Sequence, residues 1–154
     1  MIARSLKELD SIRADCRTMV KKRAFASSGA VFIPVPGVDI AADVTLLLEL
    51  LPAVNRKFGL TPEQIDELNP QLKSLLYGII KKTGSTLVGQ LITKQLILVA
   101  LKKVGVRMVA KQVLKYIPFA GQAAAAVLSG AAMMYVGNIH VDECYEVAKK
   151  ALNR

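Results

Sequence analysis

The chain has 154 residues, 53% of them hydrophobic and only 5% aromatic, with no tryptophan and a mean hydropathy of +0.37. That length suits one domain able to bury a core without metal or disulfide staples, and the apolar excess is aliphatic and small. The net charge is +9. Two cysteines without CxxC spacing, Cys16 and Cys144, read as reduced structural thiols and make a cytoplasmic setting the default. The charged opening residues lack the continuous apolar run of a secretory signal, and Met1-Ile2 offers no myristoylation glycine.

Charge is divided unevenly. Between Leu68 and Val141 there is no acidic residue but nine basic ones: Lys73, Lys81, Lys82, Lys94, Lys102, Lys103, Arg107, Lys111 and Lys115. All the net charge therefore belongs to the apolar centre of the chain, as in a surface that approaches anionic headgroups. Nucleic acid is a poorer fit, because among the basic residues of 73–116 only Tyr77 and Tyr116 supply interspersed aromatics for stacking.

In chain order, the spacing of Leu6, Leu9, Met19 and Val20, with Ile12 or Cys16 between, predicts an amphipathic helix over 5–26. Arg13, Arg17 and Lys21 follow another side at i,i+4. Ser27-Ser28-Gly29 reads as a breaker, dividing an N-terminal helix (1–28) from a helical region (29–154) packed with it as one unit. Pro34, Pro36 and Gly37 then forbid regular helix and set a rigid turn. Asp39 is expected to cap a helix reaching about Lys57, buried through Ile40, Val44, Leu47, Leu48 and Leu51 and bent at Pro52. Gly59 reads as its C-cap.

Thr61-Pro62-Glu63-Gln64 has threonine at N-cap, proline at N1 and glutamine at N3, the pattern of a capping box. Its short helix should close near Asn69-Pro70 and a further helix run from about Gln71 to Lys82. Thr83-Gly84-Ser85 separates that from a longer helix expected from about Thr86, weakened or ended at Gly105. Along it Lys103, Arg107, Lys111 and Lys115 recur every four residues as a basic ridge, its stems lying over apolar surface. After Pro118 and Gly121, residues 117–139 carry no formal charge, enough for roughly 34 Å of helix. Gln122, Ser129, Asn138 and the alanine run favour a core or membrane-adjacent helix, and Gly121, Gly130 and Gly137 permit close helix packing. The last segment, 141–152, is amphipathic, with Val141, Tyr145, Ala148 and Leu152 on one side and Asp142, Glu143, Glu146, Lys149 and Lys150 exposed. The expected fold is all-α, a compact bundle of about six or seven helices with two related Ile-Pro-x-x-Gly helix entries.

Catalytic chemistry is not apparent. Gly78 to Thr86 imitates a phosphate-binding loop, but its glycines are too far apart and Ser85 stands where lysine should follow. His140, the single histidine, lies one helical turn from Cys144, yet a zinc site needs three or four ligands, so His140 reads as a capping or surface residue. Asp39 and Asp43 share a helix side without a histidine or metal set beside them. No enzyme activity, cofactor, metal or catalytic residue is expected.

Phe32 to Ala41, the Phe58-Gly59-Leu60 turn, and Tyr116-Ile117-Pro118-Phe119-Ala120-Gly121 with its Ala/Gly-rich helix resemble the helical region that accompanies GTPase domains in immunity-related GTPases and in a bacterial family of inner-membrane-associated proteins. The likeness covers roughly 29–152. It implies a region for membrane association, self-assembly or communication with a GTPase, which puts a GTPase-like protein and a second copy of the chain among the expected partners. The GTPase domain, with its phosphate loop and switch residues, has no counterpart here, so the resemblance carries over no catalytic residue.

The preferred expectation is a non-enzymatic helical module, cytoplasmic and peripheral at the inner face of a membrane or bound to a GTPase-like partner. Its contact residues would be Lys94, Lys102, Lys103, Arg107, Lys111 and Lys115, and Pro34, Pro36, Gly37, Pro118, Gly121, Gly130 and Gly137 would set helix orientation and packing. Two alternatives stand beside it: an integral hairpin of 86–104 and 117–139 with a pore-forming, scaffolding or toxic role, and a soluble helical protein-binding module. Lys94 discriminates against the hairpin, since a midspan lysine in lipid is costly.

Overall fold

The capping box predicted at Thr61 forms as expected. The Gln64 amide donates to Thr61 Oγ1 at 3.2 Å, and the Thr61 amide donates to Gln64 Oε1 at 3.1 Å. This geometry is seen in a computed structural model that describes residues 2–30, 38–110 and 122–153, with side chains described over 2–25, 44–103 and 133–153. The described residues are all-helical: α1 (Leu6–Ala30), α2 (Val38–Phe58), α3 (Pro62–Asp66), α4 (Pro70–Thr83), α5 (Lys94–Ala110) and α6 (Gln122–Leu152). The turns at Pro34, Pro36 and Gly37, and at Pro118 and Gly121, lie outside the described residues.

Short-range chemistry sets the joints between α2 and α4. Gly59, at φ 73°, takes a left-handed conformation that lets the Leu60 amide reach back to the Asn55 carbonyl at 2.8 Å and close α2. Asn69 caps α4 by accepting from the Leu72 amide at 2.9 Å, with Pro70 in the first turn. α2 continues through Pro52, as the apolar pattern beyond it requires. Its buried stripe is Val44, Leu47, Leu50, Leu51, Val54 and Phe58, whereas Leu48, expected inside, lies on the shoulder of that stripe and is exposed. Asp39 falls inside the first turn of α2 instead of ahead of it.

Three boundaries differ from expectation. α1 runs through Ser27-Ser28-Gly29 to Ala30, past the expected break. α5 begins at Lys94, not near Thr86. Ser85 Oγ accepts from the Leu87 and Val88 amides at 3.3 and 3.1 Å, and this local turn competes with helix. Gly89 then takes φ +70°, and a new start is capped at Thr93, whose Oγ1 accepts from the Leu96 amide at 3.3 Å. α5 passes through Gly105 without a break. The uncharged stretch and the amphipathic tail, read as successive segments, are one 31-residue helix, because nothing between Ile139 and Val141 interrupts it.

α6 is the hub. α1, α2, α4 and α5 all pack on it, and α1 also packs on α2. Leu9, Cys16, Val20 and Ala24 of α1 are buried against this core, while Leu6, placed on the inner face by its spacing, is exposed. Gly137 is why α1 comes so close: a Cβ there would stand 2.7 Å from Val20 Cγ1. The small residue thus serves packing within one chain. Among the described residues, no helix is long and apolar enough to cross a membrane. The spanning hairpin loses its first arm in any case, since Thr86 to Thr93 are not helical.

Candidate functional site

Among the described basic residues some pair with a carboxylate, while others, among them Lys7, Lys21 and Lys22 on α1 and Lys81 and Lys82 on α4, are exposed without an ion pair. On α1, Arg13 and Arg17 both donate to Asp142 of α6, at 2.7 and 2.9 Å, and the Arg13 guanidinium lies 4.5 Å from the Tyr145 ring centroid. Arg23 pairs with Glu49 at 2.7 Å, and Lys57 of α2 with Asp15 at 3.7 Å. The Tyr145 hydroxyl donates to Asp10 at 2.7 Å. Asp142 and Glu143, expected as exposed tail residues, are partly buried and engaged in contacts between elements.

On α5 the situation is reversed. Lys94, Lys102 and Lys103 are exposed, and among the described residues none has a carboxylate within ion-pair distance. Around them stand Leu91, Leu98 and Val99, 72%, 40% and 51% exposed. Lys94, Leu98 and Lys102 follow one i,i+4 line, and Val99 and Lys103 an adjacent one. Ile97 holds the opposite side of the helix in the core, with Leu96, Ala100 and Leu101 partly buried beside it. Arg107 continues the second line on the α5 backbone, while Lys111 and Lys115 lie outside the described residues, as do the side chains from 104 to 132.

A cleft of about 220 Å³ opens between α5, α6 and the segment after α4, lined by Leu87, Val99, Ala100, Lys103, Val136 and Ile139 with Gly84, Thr86 and Glu143. Two buried or half-buried anchors hold its wall. Ser85 Oγ donates to Glu143 Oε2 at 2.5 Å, and Asn55 Nδ2 donates to the Leu87 carbonyl at 3.2 Å. The sequence pattern did not disclose this cleft, since its wall is the stretch read as the start of a helix.

His140 is fully buried in mid-helix, which overturns its reading as a capping or surface residue. Its Nε2 lies 3.7 Å from Cys144 Sγ, and that thiol donates to Asn55 Oδ1 at 3.3 Å. Burial lowers the His140 pKa to about 4; the nearby Leu51 carbonyl favours the protonated ring more weakly, and Nδ1 has no hydrogen bond of normal geometry. Burial likewise pushes the Cys144 thiol well up, with Glu143 and Cys16 adding to the rise. Cys16 is raised to about 11, by burial first, against a weaker pull from Lys57. Both members of the Cys144/His140 pair are therefore neutral at pH 7, the opposite of a thiolate–imidazolium pair. Among the described residues, no three histidine, cysteine or acidic side chains cluster to hold a metal ion. The i,i+4 spacing of His140 and Cys144 was visible in the sequence, but their burial was not.

Comparison with protein-family models, with curated proteins and with solved structures returned no match to this chain. The resemblance to the helical region of immunity-related GTPases thus rests on its motif residues, of which the two proline phrases lie largely outside the described residues.

Proposed function

We propose that this chain is a non-enzymatic helical module that docks peripherally on an anionic membrane surface through the outer face of α5. The single observation that carries the reading is the exposed set Lys94, Lys102 and Lys103, without a carboxylate partner among the described residues, interleaved with Leu91, Leu98 and Val99. Such a face places aliphatic side chains at the acyl boundary while the lysine ammonium groups reach phosphate and carboxylate headgroups. The sequence around it strengthens the field, because no acidic residue occurs between Leu68 and Val141. Arg107, Lys111 and Lys115 extend the same basic run in sequence. In this reading the bundle has six or seven helices, the two Ile-Pro-x-x-Gly phrases orient its apolar helices, and the module works at the cytoplasmic side of a membrane.

Vesicle flotation tests it. The full chain should float with vesicles containing phosphatidylglycerol, float poorly with pure phosphatidylcholine, and be released as salt rises. Lys94→Glu/Lys102→Glu should reduce partitioning by at least about 100-fold, given roughly 1 kcal/mol for each charge near an anionic surface and a change of two units at each site. Its helical content should stay unchanged. Flotation that ignores lipid charge, or an unimpaired double variant, sinks the proposal. Capture of a GTPase-like partner by the same face in the absence of lipid binding would replace it.

A further inference from the structure

Behind the exposed face, the cleft between α5 and α6 has a chemistry of its own. One wall is aliphatic, from Leu87, Val99, Ala100, Val136 and Ile139, and the remainder, with Thr86, Lys103 and Glu143, is polar. Its two ionisable linings differ in state. Glu143 already accepts the Ser85 hydroxyl at 2.5 Å, whereas Lys103 has no anionic partner among the described residues. Ser85 in turn is fixed by the Leu87 and Val88 amides, so the carboxylate is restrained at the wall and the ammonium remains available. An occupant that satisfied the cleft would bring apolar atoms for the aliphatic wall and one negative charge for Lys103.

We infer that this cleft binds the short alkyl chain of a singly headed anionic amphiphile, a carboxylate or a monoalkyl phosphate, with the head on Lys103. The volume of about 220 Å³ sets the scale. It lies below the roughly 300–1,000 Å³ of sites for drug-sized ligands, so one short chain fits and a diacyl lipid does not fit whole. The surrounding sequence, basic and free of acidic residues from Leu68 to Val141, supplies a field that favours the anion over a cation despite Glu143. The site shares Val99 and Lys103 with the membrane-docking face but does not depend on that reading, since the ligand is a free amphiphile.

The test is a titration of the full-length protein with octanoate and with octyl phosphate, without vesicles and below their micelle concentrations, followed by methyl NMR. Saturable shifts are expected at Leu87, Val99, Val136 and Ile139, with octanol binding at least about 5-fold more weakly. Lys103→Met keeps the stem, removes the charge, and should abolish the preference for octanoate over octanol. Ala100→Phe fills the cleft from α5 and should abolish the shifts; thermal unfolding checks that it folds, and Val99→Phe, from a more exposed position, serves if it does not. Lys94→Glu/Lys102→Glu should keep saturable octanoate shifts at the cleft, weakened by the smaller basic field but not abolished, and a folded Ala100→Phe should retain vesicle flotation, so each proposal can fail without the other. Absence of saturable shifts at the cleft, equal binding of octanol, or an unchanged preference in Lys103→Met would overturn the inference.

Discussion

The α1–α6 interface and the α5 face use the same residue types for opposite ends. At the former, Arg13 and Arg17 both meet Asp142, and Gly137 lets α1 settle onto α6 beside Val20. On α5, three lysines have no carboxylate partner among the described residues, and Leu98 and Val99, with Leu91 just before the helix, remain open. A basic residue is therefore uninformative until its partner is known. The docking proposal rests on the part of that unpaired surplus that α5 sets among exposed aliphatic side chains.

The sharpest way to break the first region is Gly137→Val. Its side chain would meet the fully buried Val20, and overpacking of this kind costs about 1–3 kcal/mol, offset only in part by the better helix propensity of a non-glycine residue. Urea unfolding should show the loss, and Val20→Ala should restore a large part of it. If Gly137→Val unfolds like the parent, the close approach of α1 to α6 is not as described.

Acid is the next lever. His140 titrates near 4 in the fold against 6.5 in the open chain, so the unfolded state takes up the proton first as pH falls. The stability tied to its neutral, buried ring is complete above about pH 6.5 and declines as pH falls through the folded value near 4, by about 3 kcal/mol in all. The groups placed against it are Cys144 and the Leu51 carbonyl, with Asn55 and Cys16 on the far side of Cys144, and none of these changes charge in that window. Urea midpoints between pH 7 and 4.5 should fall steeply in the parent and less steeply in His140→Leu. Equal slopes would place His140 in contact with water.

The smallest effect separates the two regions by charge. A double-mutant cycle on Arg13 and Asp142 should return a coupling of about 1 kcal/mol, reduced by salt because the pair is only partly buried. Lys94→Ala should change stability by less than about 0.5 kcal/mol, since no described contact is lost. A coupling of zero at Arg13/Asp142, or a marked loss at Lys94, would erase the contrast between an internally paired and an outward-facing basic surface.

What the sequence alone determined about this protein is its local grammar. Thr61 with Gln64, Asn69 with Pro70, and the glycines at 59 and 84 act through bonds spanning a few residues, so their types suffice to place them. The all-helical class followed from periodicity in the same way. The start of α5 was not legible, because Leu87 and Leu91 fit a helical pattern while Ser85, Gly89 and Asn55 together hold that stretch in a turn. The i,i+4 relation of His140 and Cys144 could be read, and so could the basic character of α5. Tertiary structure decided which of these residues water would reach. His140 went to the core because α6 is covered by several helices at once, and Lys94, Lys102 and Lys103 stayed outside because Ile97 on the opposite side of α5 is what packs inward. Burial and charge pairing depend on residues more than a hundred positions apart, as Arg13 and Asp142 are, and no local spacing encodes that meeting.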